Sequence, residues 1–500
     1  MSHALSALLR GVGAATLKGA VSAEGISVAE VRDDSRLVGR GDLFVAVPGA
    51  SRDGRQFAAD AAARGATVLI TEAPALETFP GVVVIVPNAR HALSVIAANR
   101  YGAADALTLM AVTGTNGKTT TTYLVEAMLR AAGRGAGTLG TVSYRMAAPG
   151  GAVRERPAPL TTPGALMLHG LFADMRAEGV TDVVLEASSH ALDQSRLDGC
   201  KFAVGALTNV TQDHLDYHVT MDRYFDAKAI LFERLLDPTR GVGVTFVDQD
   251  EGRRMRVRCA GRALGVARGA PVPGADVLVS KHTLGDAGTT ATFETPVGKV
   301  EITSPLVGEY NLANIAIAVG MAVAAELPPE AIVQGLAHVG GVPGRLERVP
   351  NARDVLCVVD YAHTPDALER AIAALRPLAR GRLIVVFGCG GDRDPGKRPQ
   401  MGEIAARDAD LAIVTSDNPR SESPEAIIDM IVAGMKRVAG RAHERQPDRR
   451  AAIRRAISQA GAGDVVLIAG KGHEDYQIVG SVKSHFDDRE EARAAFEALA

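Results

Sequence analysis

The length, composition and charge of the chain exclude several classes of protein. Its 500 residues are too many for one hydrophobic core, and a typical domain size of about 150 residues predicts roughly three domains. With 55 Lys and Arg against 58 Asp and Glu, the net charge of −3 provides no overall field that would attract nucleic acid or an anionic membrane. Any anionic ligand must therefore be held by local groups.

The cysteines and the apolar stretches indicate the compartment. The four cysteines are scattered, without the density of a secreted disulfide scaffold or the spacing of a zinc site. No stretch reaches the roughly 20 apolar residues that a membrane span needs, and the N-terminus lacks the features of a signal peptide. We therefore predict a cytoplasmic protein that inserts into no membrane and is, by default, a monomer.

The first two thirds of the chain predict two α/β domains. In residues 1–102, β-branched runs at 43–47, 68–70 and 82–86 alternate with helical stretches at 57–63 and 91–101. Residues 103–342 open with an apolar strand at 107–112, a Gly-rich turn and a helix, and a second buried strand is predicted at 181–185. This part has the pattern of a nucleotide-binding domain, although residues 240–300 show no clear pattern.

Residues 343–500 predict a third α/β domain. Four apolar strands, at 355–359, 383–387, 411–414 and 465–469, are mostly separated by helical stretches, and each ends in a polar loop. Ligands gather outside the carboxyl ends of the strands in open parallel sheets, so these loops are expected to converge on one site. The predicted fold class is thus α/β, with three domains that each contain a sheet.

The segment after the strand at 107–112 has the pattern of a phosphate-binding loop. Its sequence is Gly114-Thr115-Asn116-Gly117-Lys118-Thr119-Thr120. Glycines let backbone N–H groups point at phosphates, Lys118 can reach the β- and γ-phosphates, and the Thr119 hydroxyl can ligate Mg²⁺. The match is partial because Val112 stands where the standard pattern has Gly. A Gly-rich turn without function is the alternative, which the Gly-Lys-Thr sequence between strand and helix disfavours.

Further candidate ligands follow in the central part. Glu186 comes directly after the predicted strand at 181–185 and is placed to help hold Mg²⁺, although acidic residues are common at strand ends. Residues 208–218 concentrate metal-capable groups, His214 among them, but a solvated loop has the same composition. Lys228 lies in an apolar helical pattern and, taken alone, reads as a lysine whose ammonium reaches solvent.

Two arginines stand out at the strand ends of the last domain. Arg393 and Arg420 follow different strands, and two guanidinium groups can hold carboxylates in bidentate geometry. Ordinary surface charge is the alternative, which the convergence of the loops disfavours. Asp360 and Arg345 could contact a nucleotide, but each alone is a weak signal.

Together these motifs resemble those of the Mur ligases of peptidoglycan precursor synthesis, over nearly the whole chain. The matching motifs lie at 34–36 with 41–45, 114–120, 160–163, 186–190, 213–218, 308–314, 344–347 and 360–366, and in the four C-terminal loops. The resemblance implies a UDP-substrate-binding domain at 1–102, a central ATP-binding domain at 103–342 and a Rossmann-like, amino-acid-binding domain at 343–500.

The resemblance also implies the reaction and its cofactor. An ATP-dependent ligase of this kind joins meso-2,6-diaminopimelate to the D-glutamate γ-carboxylate of UDP-N-acetylmuramoyl-L-alanyl-D-glutamate through an acyl phosphate, with Mg²⁺. The tetrapeptide Asp417-Asn418-Pro419-Arg420 matches the family motif for diaminopimelate. Lysine lacks the second carboxylate of diaminopimelate and would leave Arg420 unpaired, while Glu474 would face the distal ammonium.

Individual residues take roles from the same resemblance. Lys228 matches the family lysine that reacts with CO₂ to form a carbamate, and the implied metal ligands are Thr119, Glu186, His214 and this carbamate. Lys118, Glu186, His214 and Lys228 would be catalytic, and ATP would contact residues 114–120, Asn314, Arg345 and Asp360. The UDP-linked substrate would contact Ser35, Gly49, Ala50, Ser51, Thr161, Thr162, Ser188, Gln194 and Arg196. The diaminopimelate pocket would contain Arg393, Asp417, Asn418, Pro419, Arg420, Gly470 and Glu474.

Four alternatives remain open at this point. A lysine-adding Mur ligase or a folylpolyglutamate synthetase would share the phosphate loop and the three domains, but the Arg420 tetrapeptide and the motif at 34–36 argue against both. From a different class, a P-loop phosphotransferase or a nucleotide-gated binding module would need neither Lys228 nor an amino-acid pocket.

Overall fold

The computed structural model describes residues 2–13, 15–20, 22–49, 53–74, 78–285, 287–438, 440 and 442–499. The chain divides into two compact units. The first consists of Met1–Leu278, Thr295–Gly298 and Ile317–Gly335, and the second of Val279–Glu294, Lys299–Ala316 and Leu336–Ala500. Strands and helices alternate in both units, which confirms the predicted α/β class. Within the described ranges, no helix is long and apolar enough to cross a membrane.

The N-terminal part of the first unit is a small sheet with helices. Its strands are β1 (His3–Ala4), β2 (Thr16–Lys18), β3 (Ser27–Val28), β4 (Val31–Arg32), β5 (Leu43–Val45), β6 (Val68–Thr71) and β7 (Val82–Ile85), and its helices are α1 (Leu5–Leu8), α2 (Ala58–Ala63) and α3 (Ala89–Tyr101). Five strands form a sheet in the order β2-β7-β6-β5-β4, and the three predicted strands are its centre. Helix α3 begins at the Asn88 cap and ends at Gly102, which is left-handed.

The central part of the first unit is built on a larger sheet. Its strands are β8 (Thr108–Thr113), β9 (Ala136–Leu139), β10 (Ser143–Ala147), β11 (Arg154–Pro157), β12 (Asp182–Glu186), β13 (Val204–Leu207), β14 (Val242–Phe246) and β15 (Arg262–Arg268). Its helices are α4 (Lys118–Ala131), α5 (Ala165–Ala177), α6 (Ser189–Asp193), α7 (Leu215–His218), α8 (Met221–Ile230) and α9 (Asp250–Val257). The strand order is β11-β10-β9-β12-β8-β13-β14-β15.

Strand β8 lies between β12 and β13, and the three strands are parallel. Leu109, Val183 and Leu185 belong to one buried core with Phe172 of α5. Central parallel strands are buried on both faces, which explains why these runs are continuously apolar in the sequence. Their carboxyl ends present the Gly-rich loop, Glu186 and residues 208–211 at the same edge of the sheet.

The elements that follow are the strands β16 (Val277–Gly285), β17 (Gly288–Thr295) and β18 (Gly298–Ser304) and the helices α10 (Glu309–Ala324) and α11 (Pro329–Ala337). Residues 240–300, whose sequence has no clear pattern, thus contain regular structure, mostly strands.

The C-terminal part of the second unit contains a sheet with helices on both faces. Its strands are β19 (Glu347–Arg348), β20 (Leu356–Asp360), β21 (Leu383–Phe387), β22 (Leu411–Val414), β23 (Ala442–Arg445), β24 (Val465–Ala469), β25 (Tyr476–Val479) and β26 (Val482–His485). Its helices are α12 (Pro365–Leu375), α13 (Lys397–Asp408), α14 (Pro424–Met435), α15 (Arg449–Gln459) and α16 (Asp488–Glu497). The order of the main sheet is β19-β20-β24-β21-β22-β23.

The four predicted strands of this part are confirmed, three with the predicted bounds and β20 displaced by one residue. They are parallel, with α12, α13 and α14 packed in one core and α15 and α16 in another. The four polar loops meet at one edge, as predicted. The N–H of Gly470 donates to the carbonyl of Asp360 (3.0 Å), and the N–H of Gly391 donates to that of Asn418 (2.9 Å).

Candidate active site

The Gly-rich loop connects β8 to α4 with the geometry of a phosphate cradle. Gly114 and Gly117 both have positive φ, of 147° and 85°. A Cβ atom on Gly114 would overlap Thr208 Oγ1, so the position requires glycine. The Lys118 ammonium lies over the loop and donates to the carbonyls of Gly114 (2.8 Å) and Thr115 (2.9 Å). The positive end of the α4 dipole favours an anion at this place.

The segment after β13 fixes the shape of this loop. The N–H of Thr115 donates to the Asn209 carbonyl (2.9 Å), and the N–H of Asn116 donates to Asn209 Oδ1 (3.0 Å). The Thr208 hydroxyl donates to the Asn116 carbonyl (2.6 Å), and the Thr115 hydroxyl donates to the Thr211 carbonyl (3.0 Å). The polar run predicted at 208–218 therefore supports the phosphate loop through Thr208, Asn209 and Thr211.

Glu186 is the last residue of β12, and its carboxylate is held in one orientation. Oε1 accepts a hydrogen bond from the N–H of Thr141 (2.9 Å), and Oε2 accepts one from the Thr141 hydroxyl (3.0 Å). A Cβ atom on Gly140 would overlap Oε1, so the close approach of this loop requires glycine. The Thr141 hydroxyl also lies 3.1 Å from that of Thr161, which connects Glu186 to a residue predicted to bind substrate.

The other predicted substrate residues of the central part form a hydrogen-bonded group. The Thr162 hydroxyl donates to the Glu186 carbonyl (2.6 Å) and accepts from the N–H of Ser188 (3.1 Å). Arg196 Nη1 donates to the Thr162 carbonyl (2.9 Å), and its Nη2 donates to Gln194 Oε1 (2.6 Å). The structure thus brings together the residues that the sequence assigns to one ligand.

Helix α3 of the N-terminal part holds this group from the other side. His91 Nδ1 lies 2.8 Å from Asp198 Oδ2. The buried Ser94 hydroxyl donates to the Arg196 carbonyl (3.0 Å) and accepts from the N–H of Gly199 (3.0 Å). The loop that carries Gln194 and Arg196 is therefore anchored to helix α3 of the N-terminal part.

The predicted substrate residues of the N-terminal part are described only in part. Ser35 is buried at the start of the 3₁₀ turn Ser35–Leu37, which the Asp34 side chain caps. Gly49 is exposed. Ala50 and Ser51 lie outside the described residues.

Imidazole and phenol rings cluster between β12 and α8. The ring centroids of His190 and His214 are 4.8 Å apart, and those of His218 and Tyr224 are 5.2 Å apart. Burial lowers the pKa of His190, His214 and His218. These imidazoles are therefore neutral near pH 7 and can accept a hydrogen bond or bind a metal.

The backbone around this cluster is strained. His214 and Val219, which flank the single-turn helix α7, have φ of 54° and 68°. Positive φ is costly for a β-branched residue and is concentrated at functional sites. Residues 215–218 form this short helix, although the sequence predicted a loop there.

The side chain of Lys228, in α8, does not reach solvent. The residue is 1% exposed, and Nζ lies 4.2 Å from the centroid of the Tyr224 ring. Burial, and secondly the charge of Lys118, lower the pKa of Lys228 well below its usual value. The interpretation of this residue as a lysine with a solvated ammonium is wrong. The environment favours a neutral amine, which is the nucleophilic form.

The donors near the phosphate loop suit Mg²⁺. Among the described residues, no group of three His, Cys, Asp or Glu side chains could hold a metal ion. Thr119, which is buried at the start of α4, and Glu186 offer oxygen donors, and Mg²⁺ prefers oxygen ligands together with substrate phosphates. A carbamate on Lys228 would add further oxygen atoms.

In the second unit, Asp360 and Arg345 lie close together. Asp360 Oδ2 accepts a hydrogen bond from the N–H of Leu346 (2.7 Å). Burial raises the pKa of Asp360, and the Arg345 charge opposes this shift. Arg345 Cζ lies 4.9 Å from the centroid of the Tyr361 ring. Asn314 is buried in α10 and donates to Asn311 Oδ1 (3.2 Å).

The loop after β22 packs against the loop after β24. Asn418 Nδ2 donates to Glu474 Oε2 (3.0 Å), and a Cβ atom on Gly470 would lie 3.1 Å from Asp417 Oδ2. Burial, and secondly the Asp417 charge, raise the pKa of Glu474. Four of the residues predicted to bind one amino acid are therefore neighbours.

Arg420 lies in the loop after β22, and its backbone is held there by two hydrogen bonds. Its backbone N–H donates to the Ile478 carbonyl (3.1 Å), and its carbonyl accepts from the N–H of Gly480 (2.7 Å). Nη1 donates to the Gly391 carbonyl (2.8 Å). Arg393 is exposed and donates to the carbonyl of its neighbour Asp392 (3.1 Å).

Several supporting residues have no signal in the sequence. Arg398 makes two hydrogen bonds of 2.8 Å to Glu422, and Arg449 makes two of 2.7 and 2.6 Å to Asp488 with both side chains fully buried. Lys471 is also fully buried. Arg and Lys are mostly exposed, so composition would place all three at the surface. Thr141 was missed because it lies in none of the sequence motifs, while the spacing of Tyr224 and Lys228 on one helix face was a usable signal.

Comparison with known proteins decides the family. Residues 27–101 match the model described as "Mur ligase family, catalytic domain", residues 112–322 match "Mur ligase middle domain", and residues 344–472 match "Mur ligase, glutamate ligase domain". A relative from Gloeobacter violaceus, named UDP-N-acetylmuramoyl-L-alanyl-D-glutamate--2,6-diaminopimelate ligase, is 48% identical over 473 residues, 94% of each chain. The chain belongs to the Mur ligase family. A relative of the same name from Geobacter metallireducens is 45% identical over 483 residues, 93% of each chain.

Solved structures share the fold of this Mur ligase. A structure named UDP-N-acetylmuramoyl-L-alanyl-D-glutamate--2,6-diaminopimelate ligase is 34% identical with a TM-score of 0.68, covering 94% of this chain and 95% of the other. A Mur ligase from Thermotoga maritima in complex with ADP has a TM-score of 0.62 at 20% identity, covering 95% and 99%. Mur ligases are ATP-dependent, ADP-forming amide ligases that use Mg²⁺, and this chain is such an enzyme.

Proposed function

We propose that this Mur ligase adds meso-2,6-diaminopimelate to the D-glutamate γ-carboxylate of UDP-N-acetylmuramoyl-L-alanyl-D-glutamate, in peptidoglycan precursor synthesis. The observation that carries the proposal is the pocket where the Arg420 and Glu474 loops meet, joined by the bond from Asn418 to Glu474. Diaminopimelate has a carboxylate for the first side chain and a distal ammonium for the second. Relatives with this substrate in their names are up to 48% identical.

The proposed reaction has two chemical steps. The γ-carboxylate attacks the γ-phosphorus of ATP, which gives an acyl phosphate and ADP. The neutral amine of diaminopimelate then attacks the acyl carbon, phosphate leaves, and the nitrogen loses a proton to give the amide. Positioning and charge stabilisation supply most of the catalysis in such phosphoryl transfers.

Lys118, Glu186, His214 and Lys228 are the proposed catalytic residues. Lys118 balances charge on the transferring phosphate. Thr119, Glu186 and His214 would hold Mg²⁺, which screens the repulsion between the carboxylate and the γ-phosphate. The amine of Lys228 would add to CO₂ with loss of a proton, so that a buried cation becomes an anionic oxygen ligand. The low pKa of Lys228 supports this step.

The remaining residues bind the substrates. We propose that ATP contacts residues 114–120, Asn314, Arg345 and Asp360. The UDP-linked substrate contacts the hydrogen-bonded group of Thr161, Thr162, Ser188, Gln194 and Arg196, together with Ser35 and residues 49–51. Diaminopimelate contacts residues 417–420, Gly470, Glu474 and Arg393.

We also propose three domains, at 1–102, 103–342 and 343–500, in a cytoplasmic monomer. The three stretches matched by the family models, which begin at residues 27, 112 and 344, support these boundaries. Light scattering tests the oligomeric state, and limited proteolysis tests the boundaries.

Phosphate release with MgATP and the UDP-muramoyl dipeptide tests the function, with meso-diaminopimelate, L-lysine or no amino acid. The proposal expects release with diaminopimelate only. Release with lysine in its place would assign a lysine-adding ligase, and release that depends on neither co-substrate would overturn ligase activity altogether.

A further inference from the structure

Lys471 lies between two residues of the proposed amino-acid pocket, Gly470 and Glu474, and has no role in the function proposed above. Its side chain is fully buried, which is unusual for lysine. Three groups face its ammonium. It donates to Asn418 Oδ1 (2.9 Å) and to the Tyr476 carbonyl (2.7 Å), and it lies 3.3 Å from Asp417 Oδ1. Two of these partners belong to the tetrapeptide that ends at Arg420.

The contact with Asn418 fixes which way its amide points. A lysine ammonium only donates hydrogen bonds, so it must face the oxygen of the amide. The N–H of Ile478 donates to the same oxygen (3.0 Å). With two donors at one end, the NH₂ group must lie at the other, where it donates to Glu474 Oε2 (3.0 Å). Lys471 thus orients Asn418, and Asn418 orients the Glu474 carboxylate.

The charge of Lys471 acts on Glu474 as well. Burial, and secondly Asp417, raise the pKa of Glu474, while Lys471 opposes the rise. Burial lowers the pKa of Lys471 itself, and Asp417 opposes that shift. Lys471 and Asp417 therefore balance one another, and one carboxylate, that of Glu474, is left to receive a cation.

Other polar and charged groups lie around Lys471 and Glu474. Arg449, beneath the loops, is paired with Asp488. Arg420 donates to the Gly391 carbonyl, and the Tyr361 hydroxyl lies 3.4 Å from Glu474 Oε1. Tyr476 also lies near Glu474.

We propose that Lys471 is a positioning residue for amino-acid recognition: it orients Asn418 and neutralises Asp417, so that Glu474 is held ready for the distal ammonium of the incoming diamino acid. This inference rests on the proposed function. It assigns Lys471 an effect on one substrate only, whereas a purely structural ion pair would change stability and all kinetic constants together.

Lys471→Met tests the inference, with Lys436→Met as the control at an exposed position. We expect KM for diaminopimelate to rise roughly 10- to 100-fold, because a buried polar group loses its partner, and KM for ATP to change less than about twofold. Without the lysine charge, the pKa of Glu474 rises further. The fall of kcat/KM for diaminopimelate on acidification should therefore begin about one pH unit or more higher than in the wild type.

Lys471→Met leaves Asp417 without its counterion, so a second variant guards against misfolding. Lys471→Met with Asp417→Asn removes both charges, and we expect the pH profile to return toward that of the wild type. KM for diaminopimelate is not compared in this variant, because Asp417 is itself a proposed contact of the amino acid. Equal changes in all three KM values, or an unchanged KM for diaminopimelate, would overturn the inference. If the wild type itself fails to use diaminopimelate, the proposed function fails, and the inference fails with it. If the wild type uses diaminopimelate but the Lys471 variants show none of the expected effects, only the inference is overturned.

Discussion

Arg420→Ala separates recognition of the second carboxylate from the architecture of the pocket. The Arg420 backbone is held by its N–H bond to Ile478 and its carbonyl bond to Gly480, independently of the guanidinium. Its φ of 52° strains any residue with a side chain, so alanine adds no new strain. The loop should therefore keep its place in the variant, with only the bonds from Nη1 to the carbonyls of Gly391 and Asn418 lost.

The magnitude follows from the bonds that the guanidinium can make. Nη1 donates to the carbonyls of Gly391 (2.8 Å) and Asn418 (3.5 Å), and the N–H groups of Nε and Nη2 remain for a carboxylate. A charge-assisted hydrogen bond contributes about 1.5–3 kcal/mol. We expect kcat/KM for diaminopimelate to fall about 10- to 150-fold, since each 1.4 kcal/mol corresponds to a factor of ten. With lysine no carboxylate contact is lost, so the preference for diaminopimelate should fall by a similar factor.

Phosphate release measured against each amino acid at saturating MgATP and UDP-substrate checks this prediction. Arg437→Ala, an exposed arginine of the same unit, is the control and should behave as the wild type. A value of kcat/KM for diaminopimelate that stays within about twofold of the wild-type value would refute the role of Arg420.

Three further predictions concern the catalytic centre and its support. Lys228→Met should lower ATP turnover at least about a hundredfold, and the carbamate carbonyl signal expected from the wild type in ¹³C-bicarbonate should be missing; retained turnover would contradict a catalytic lysine. Gly114→Ala should weaken nucleotide binding, because a Cβ atom would overlap Thr208 Oγ1. Calorimetric titration with ADP measures the effect, and the control is Gly133→Ala, which has open space around its Cβ position and also has positive φ. Equal ADP affinities of the two variants would show that the overlap at Gly114 is relieved. Arg449→Met should cost about 3–5 kcal/mol in urea unfolding because Asp488 stays buried without a partner, and Arg449→Met with Asp488→Leu should recover most of this loss; if it recovers none, the pairing argument fails.

The strands were predictable because local pattern determines them. Runs such as Leu383–Phe387 are continuously apolar and bounded by polar loops, so that strand and loop ends were predicted together. The order of strands was not predictable. Strand β24 pairs with β20 and β21, which precede it by about a hundred residues, and no local pattern encodes that insertion.

The site was predictable where a motif carries its own chemistry, as in the phosphate loop. The residues of the site were not predictable where a charged side chain pairs with residues far away in the sequence. Lys471 and Asn418 are separated by 53 positions, and Arg449 and Asp488 by 39. Only the folded chain shows that these cations are fully buried and hydrogen-bonded to partners far away in the sequence.

The most direct test of the central claim is a competition between amino acids. The enzyme is incubated with MgATP, the UDP-muramoyl dipeptide and equal concentrations of meso-diaminopimelate and L-lysine, and the UDP-linked product is identified by mass spectrometry. Our account predicts one product, the tripeptide that ends in diaminopimelate, formed together with ADP and phosphate. A lysine-containing product, or ATP hydrolysis without any amide product, would contradict it.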